Sequence, residues 1–284
     1  KAARRIVDSK SFDNSVLCTN ESVLIVTEQA ATALLRHLKQ AGAYLLAPDE
    51  RDRVAAMLFP GGRFDIRFVG KDASWIAAEA GLRVPNRTRV LLAPFDLVVP
   101  EEPLAHEKLC PVLGLVRVPT ARRGIDAARA VLRLSGRGHS AAIHSTDPRV
   151  IMEYGAAVEV LRVAVNVGNS LGSAGLETNL APTMTIGTGF FGRSSVAENL
   201  HPSHLVQWTR LAYNRDPAEP FGDFTGLVPW QAQAGHHGHQ GSQPPYPVAS
   251  NLRGDLPAAA RGGGQAYRPA RSELNGSDVS ALRE

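Results

Sequence analysis

The chain has 284 residues, 44% of them hydrophobic and 20% charged, with a formal net charge of +4. It is long enough to bury a sizeable core, and its arginines are scattered among acids, so nothing in the charge pattern calls for nucleic acid as a partner. No apolar run reaches the length of a membrane span, and two cysteines without a CxxC spacing supply neither a disulfide framework nor a zinc cluster, which favours a reducing, cytoplasmic compartment.

In chain order, "KAARRIVDSK" (1–10) opens on Lys and reads as the inside of a helix, so the chain is expected to be the C-terminal portion of something longer. "SFDNSVLCTN" (11–20) sets Cys18, behind Asn14 and Ser15, on a loop ahead of the apolar strand "SVLIV" (22–26). "TEQAATALLRHLKQAG" then carries Ala31, Leu34, Leu35 and Leu38 on one helical face and stops at Gly42. "DERDRVAAMLF" and "DASWIAAEAG" predict helices, and "RVLLAP" and "VLGLVRV" predict buried strands. "GIDAARAVLRLSG" and "DPRVIMEYGAAV" predict two more helices, interleaved with the strands "HSAAIHS" and "RVAVNV". Such alternation predicts an α/β fold with a mainly parallel sheet and crossover helices.

From about position 215 the composition shifts to Pro, Gly, Ser, Gln and Ala without an apolar period, which predicts a flexible linker over 215–276. "HHGHQ" (236–240) offers histidines with no Cys or acidic companion, so no metal site is expected there. "NGSDVSALRE" ends the chain with Ser277 or Asp278 as a helix cap and Val279 and Leu282 opening an apolar face.

Judged alone, Cys18 is open to two readings: a small buried hydrophobe, the commoner state of a free cysteine, or a nucleophile. Its surroundings narrow the choice. "FDNSVLCTNES" resembles the nucleophile segment of the aldehyde dehydrogenase superfamily, and within it the CoA-acylating branch of acetaldehyde and propionaldehyde dehydrogenase type, where the cysteine follows an Asp-Asn-Gly/Ser turn. The hydrolytic branch usually reads Gly-Gln-x-Cys at this place. "HEKLCPVLGLV" (106–116) resembles the family's Glu-x-x-x-Pro-Val segment, which implies that Glu107 binds ribose hydroxyls of NAD and leaves Cys110 a packing role. "SGRGHSAAIHS" (135–145) resembles the family's G-x-G-H segment and implies that His139 is an acid or base beside the thiol, a role suited to a group that titrates near neutrality. His144, five residues on, has the opposite strand parity and is expected to be structural. Finally, residues 166–210, with "APTMTIGTG" and "SSVAENLHPSHL", are similar to the family's C-terminal signature. Gly187 and Gly189 within it, with Asn14, are the substrate-pocket candidates.

The resemblance covers residues 1–214 and implies an aldehyde-dehydrogenase-like catalytic domain followed by a flexible C-terminal tail. The implied reaction is oxidation of a short-chain aldehyde to acyl-CoA through a Cys18 thioester, with NAD and coenzyme A as cofactors and no metal. A homo-oligomer is expected. The 277–284 segment is similar to the encapsulation peptides of microcompartment enzymes, which implies microcompartment shell proteins as partners of the tail. The family's oxyanion Asn and its pyrophosphate-binding turn precede the cysteine and do not occur here, and "FPGGRFD" (59–65) lacks the G-x-G-x-x-G form. The isolated chain is therefore expected to bind NAD poorly and not to turn over. Two alternatives stand beside this reading: a hydrolytic aldehyde dehydrogenase, and a non-catalytic truncated cargo or assembly module.

Overall fold

Seven helices and six strands position the site in this computed structural model, which describes residues 1–216 and residue 218. The helices are α1 (Ala2–Ser11), α2 (Glu28–Gln40), α3 (Pro48–Leu58), α4 (Ala73–Glu79), α5 (Ala121–Leu134), α6 (Pro148–Ala157) and α7 (Asn169–Ser173). The strands are β1 (Val23–Thr27), β2 (Ala43–Leu45), β3 (Val90–Pro94), β4 (Val112–Val118), β5 (Ser140–Ile143) and β6 (Arg162–Val165). Lys1–Arg210 forms one compact unit. Almost all of the linker expected over 215–276, and all of the terminal helix expected over 277–284, lie outside the described residues.

Every pairing between these strands is parallel. Four of them form one sheet in the order β1-β4-β3-β2, while β5 and β6 pair in a separate two-stranded sheet. The alternation of strand and helix in the sequence thus correctly foretold a parallel α/β fold, but the strands divide between two sheets. β2 had no sequence signal of its own, because three residues are too few to show a period.

The larger sheet is buried on both faces, and its strands show why. Leu91 and Ala93 of β3, Val112, Val116 and Val118 of β4, and Val23 and Ile25 of β1 join a core with Val54 and Leu58 of α3 and Ile76 and Ala77 of α4. The intervening residues turn the other way: Val90, Leu92 and Leu113 pack on Ala3, Ile6 and Val7 of α1 and Leu38 of α2, and Val26 and Leu115 pack on Ala31. Side chains alternate across a pleated strand, so near-continuous apolar runs such as "VLLAP" are what a doubly covered parallel sheet requires. Along α2 the expected face is the buried one, and the helix stops where Gly42 takes φ +105°.

Helix α5 and α6 close a smaller core over β6, where Ala128, Leu132 and Val158 meet Tyr154 and Val163. The strand at the centre of the main sheet carries Gly114, and a Cβ there would lie 2.6 Å from the Leu104 carbonyl oxygen and 2.8 Å from the Phe95 ring. The backbone of the 103–105 turn leans directly on β4 at this point. Gly114→Ala is therefore expected to force that turn away and destabilise the chain by about 1–3 kcal/mol, read as a lower midpoint in urea unfolding.

Candidate active site

Parallel pairing brings the site together. β1 and β4 are neighbours in register, Val23 opposite Gly114, so the loop that enters β1 and the loop that enters β4 emerge at the same end of the sheet. The first carries Cys18 and the second Glu107. In the smaller sheet β5 and β6 are neighbours, Ser140 opposite Arg162. His139 enters β5, and Arg162 begins β6.

A buried polar network ties the two ends to one another. Asn169, the first residue of α7, donates from its side-chain amide to the Thr19 carbonyl at 2.8 Å and to Ser140 Oγ at 3.0 Å. Its backbone N–H donates to Glu21 Oε1 at 2.9 Å, and its Oδ1 accepts from Ser173 Oγ at 2.7 Å. Glu21 Oε2 accepts from Ser9 Oγ, and Ser9 Oγ in turn accepts from the Ser170 backbone N–H. Thr19 Oγ1 donates to the Ser170 carbonyl at 3.1 Å, and Asn20 Nδ2 to the Ser9 carbonyl at 2.5 Å. Thr19 and Asn20, the two residues that follow Cys18, are thus held to α1 and α7. Ser140 Oγ also lies 2.9 Å from His139 Nδ1, so hydrogen bonds run from the cysteine loop through Asn169 and Ser140 to the imidazole.

The approach to Cys18 is bent hard. Asp13, Asn14 and Ser15 all take positive φ, +48°, +47° and +66°, a region that costs a non-glycine residue roughly 1–2 kcal/mol. Ser15 is fully buried and its hydroxyl has no partner. Cys18 itself is exposed. Loss of water on its protein side, together with the negative charge of Glu107, pushes its thiol up from the ordinary value, while its own backbone N–H and Arg162 pull it down. Burial, and secondarily Arg162, hold the His139 imidazole below its ordinary value.

Beneath Glu107 lie two enclosed ammonium groups. Lys108 donates to the Leu104 carbonyl at 2.7 Å and the His106 carbonyl at 2.6 Å, and Lys10 donates to the Lys108 carbonyl at 3.2 Å. Neither is exposed by more than 1%. Burial lowers Lys10 to about 8 and Lys108 to about 7, the latter helped down by the charge of Lys10. These bonds, and that from the Lys108 N–H to Ser22 Oγ at 3.1 Å, fix the backbone on either side of Glu107. The Glu107 side chain is exposed and makes no hydrogen bond or ion pair among the described residues.

Cys18, Glu107 and His139 therefore meet in one region, with Arg162 beside them. The remaining site candidates divide between the turn before Cys18 and the loops around Arg162. Asn14 is exposed on the strained turn and makes no polar contact with the thiol. Gly187 gives its carbonyl to Arg162 at 2.7 Å, and a Cβ on it would strike the Val196 carbonyl. Gly189 takes φ +55° in the same tight pairing. Both serve backbone close approach around Arg162. His144 sits just past β5 with Nε2 buried and unpaired, and Cys110 is sealed in the main core, its thiol pushed up by burial. Among the described residues no cluster of His, Cys, Asp and Glu is placed to hold a metal ion, and no helix is long and apolar enough to cross a membrane.

Sequence reasoning missed Arg162, Asn169, Glu21 and the two lysines. The first had a signal, since a charge opening the apolar run "RVAVNV" is out of place on a buried strand. A cleft of about 380 Å³ beside Arg162 is lined by Asn179, Ala197, Asn199, His201 and Ser203.

No protein-family model matches the chain. Aldehyde-alcohol dehydrogenase 2 of Entamoeba histolytica is 32% identical over 231 residues, covering 78% of this chain and 27% of that protein. The acetylating aldehyde dehydrogenase of Geobacillus thermoglucosidasius superposes with a TM-score of 0.73 at 32% identity, covering 75% of this chain and 47% of that one. The propionaldehyde dehydrogenase of Rhodopseudomonas palustris, with bound CoA and an acylated cysteine, superposes with a TM-score of 0.60 at 28% identity, over 69% of this chain and 44% of that one. The chain thus spans from about a quarter to about half of the length of the proteins it matches.

Two outcomes follow for stability. Asn169→Ala leaves the Thr19 carbonyl and Ser173 hydroxyl unpaired in buried surroundings, which costs about 1–3 kcal/mol, and urea unfolding should show it. A lysine whose folded pKa lies below its unfolded value adds stability above the unfolded pKa of about 10.4 and loses it as pH falls through the folded one. Lys108→Met removes this dependence, so its stability relative to the unaltered chain should improve as pH drops from 10 towards 6, in paired unfolding curves.

Proposed function

We propose, for a chain that belongs to the acylating aldehyde dehydrogenases over about three quarters of its length, that it carries the thiol side of a site oxidising a short-chain aldehyde to acyl-CoA. The observation that supports this reading most is the placing of Cys18. The exposed thiol sits within the fields of Glu107 and Arg162, on a loop anchored just after it at Thr19 and joined from there by hydrogen bonds through Asn169 and Ser140 to His139.

A thiol raised above its ordinary value is protonated at neutral pH, so it needs a base as it attacks. His139, held below its ordinary value, is neutral there and can take the proton. Ser140 Oγ has two lone pairs and can accept from both Asn169 Nδ2 and a protonated His139 Nδ1, the tautomer that leaves Nε2 free as the base. The thiolate then adds to the aldehyde carbonyl, and loss of hydride from that carbon leaves a thioester on Cys18.

The Glu107 carboxylate, exposed and without a protein partner among the described residues, fits a pair of ribose hydroxyls. When bound, the nicotinamide supplies the hydride acceptor and coenzyme A a second thiol. The chain's own contribution to the last step is to hold the Cys18 thioester open on its exposed face and to let His139 return a proton to the leaving sulfur. A cytoplasmic setting, a homo-oligomer, and a microcompartment association through the tail belong to the same proposal, supported by composition and by the tail's resemblance to encapsulation peptides.

In the enzyme of full family length, Cys18→Ala should abolish NADH formation from aldehyde, whereas Cys110→Ala should leave it largely intact. His139→Ala should slow it by roughly 10² to 10⁴. Mass spectrometry after incubation with aldehyde and NAD but no CoA should find an acyl adduct on Cys18. An adduct on Cys110 defeats the proposal, and so does free acid accumulating at an undiminished rate without CoA.

A further inference from the structure

Arg162 opens β6, is 3% exposed, and spends its donors on uncharged acceptors. Nε donates to Asn199 Oδ1 at 2.5 Å, Nη1 to the His139 carbonyl at 3.2 Å, and Nη2 to the Gly187 carbonyl at 2.7 Å, with the Ala197 carbonyl at 3.5 Å. No carboxylate stands among these partners. A buried guanidinium without a counter-charge is costly, and four oxygen dipoles offset only part of that cost.

The geometry points to Arg162 as a positioning residue for the nucleophile: a buried cation left without a carboxylate so that the Cys18 thiolate, as it forms, supplies the missing negative charge. The fold sets the two groups near one another: Arg162 donates to the His139 carbonyl and stands opposite Ser140 in the β5–β6 pairing, and the Asn169 amide joins Ser140 to the carbonyl of Thr19, the residue after Cys18. Arg162 draws the thiol towards ionisation against the burial and the Glu107 carboxylate that oppose it, and the thiolate favours the charged guanidinium. The same cation opposes a proton on His139, so its field favours a thiolate beside a neutral imidazole. The donor fan holds that charge in place, because its acceptors lie on the strand entry of β5 and on the 187–199 pairing that includes the Ile186–Asn199 bridge. An arginine suits this use, since it stays charged and its planar fork serves several acceptors at once.

This inference rests on Cys18 as the nucleophile, and its test reads the thiol directly, so that it fails or stands separately from the aldehyde chemistry. In a Cys110→Ala background, the rate of alkylation by iodoacetamide against pH gives the Cys18 midpoint. Arg162→Lys and Arg162→Gln both disturb the fan and both can still donate to its carbonyls, but only the first keeps the charge. The lysine variant should hold the midpoint near that of the parent. The glutamine variant should raise it by about one unit, which is tenfold less thiolate at a pH below both midpoints. Equal midpoints in the two variants would overturn the proposal. The unaltered chain gives a second reading that needs no change at Arg162: its Nε–H resonance should titrate with the Cys18 midpoint and lose that titration in Cys18→Ala. A resonance that ignores Cys18 overturns the proposal as well.

Discussion

The whole site hangs on one asparagine. Asn169 stands at the head of a five-residue helix and reaches the loop before β1 through Thr19, the start of β5 through Ser140, and Glu21 through its own N–H. Strands β1 and β5 belong to different sheets, so no ladder of backbone hydrogen bonds joins them. What the sheets leave undone is completed by side-chain amide, hydroxyl and carboxylate groups in a buried network. In such a place a satisfied network defines one arrangement, and a broken one leaves orphaned groups at a cost of a few kcal/mol. That is how an exposed thiol can sit on a loop and still have a fixed address.

Around this network the chain encloses three cations, Lys10, Lys108 and Arg162, and hydrogen-bonds all three mainly to backbone carbonyls. The arrangement divides the work by residue type. The lysines sit deeper and hold the backbone beside Glu107, and burial brings them close to losing their protons near neutrality. Arg162 keeps its charge under the same treatment, because a guanidinium gives up its proton far less readily. A lysine therefore suits the anchoring role, where its donors matter most, and an arginine the site where a lasting field matters.

Much of this was legible in the sequence. The run "VLGLVRV" announced a buried strand, "ATALLRHL" announced an amphipathic helix, and both took those states because their apolar period matched the faces available. The segments around Cys18, Glu107 and His139 stand out in the sequence by resemblance alone; parallel pairing brings the Cys18 and Glu107 loops to one end of the main sheet, and the Asn169 network adds the entry of β5. What could not be read was the partition into two sheets, since strand period says which faces are buried but not which neighbour each strand takes. Nor could the polar network be read. Ser9, Asn169 and Ser170 are ordinary surface residues in one dimension, and only a contact 161 residues apart, Ser9 with Ser170, turns them into core.

Those separations govern the order of events in folding. Thr19 meets Ser170 across 151 residues, and Ser140 meets Asn169 only after β5, α6 and β6 have formed. Closing loops of such length costs entropy before the contacts repay it, and parallel pairing is slow for the same reason. The main sheet can be complete, with α1 to α4 packed on it, while the α7 connection is still open. In such a nearly folded chain the thiol loop is tethered at one side only. The candidate site is thus the last part to close on the way in, and amide hydrogens of α7 and residues 19–21 should exchange together when that connection opens.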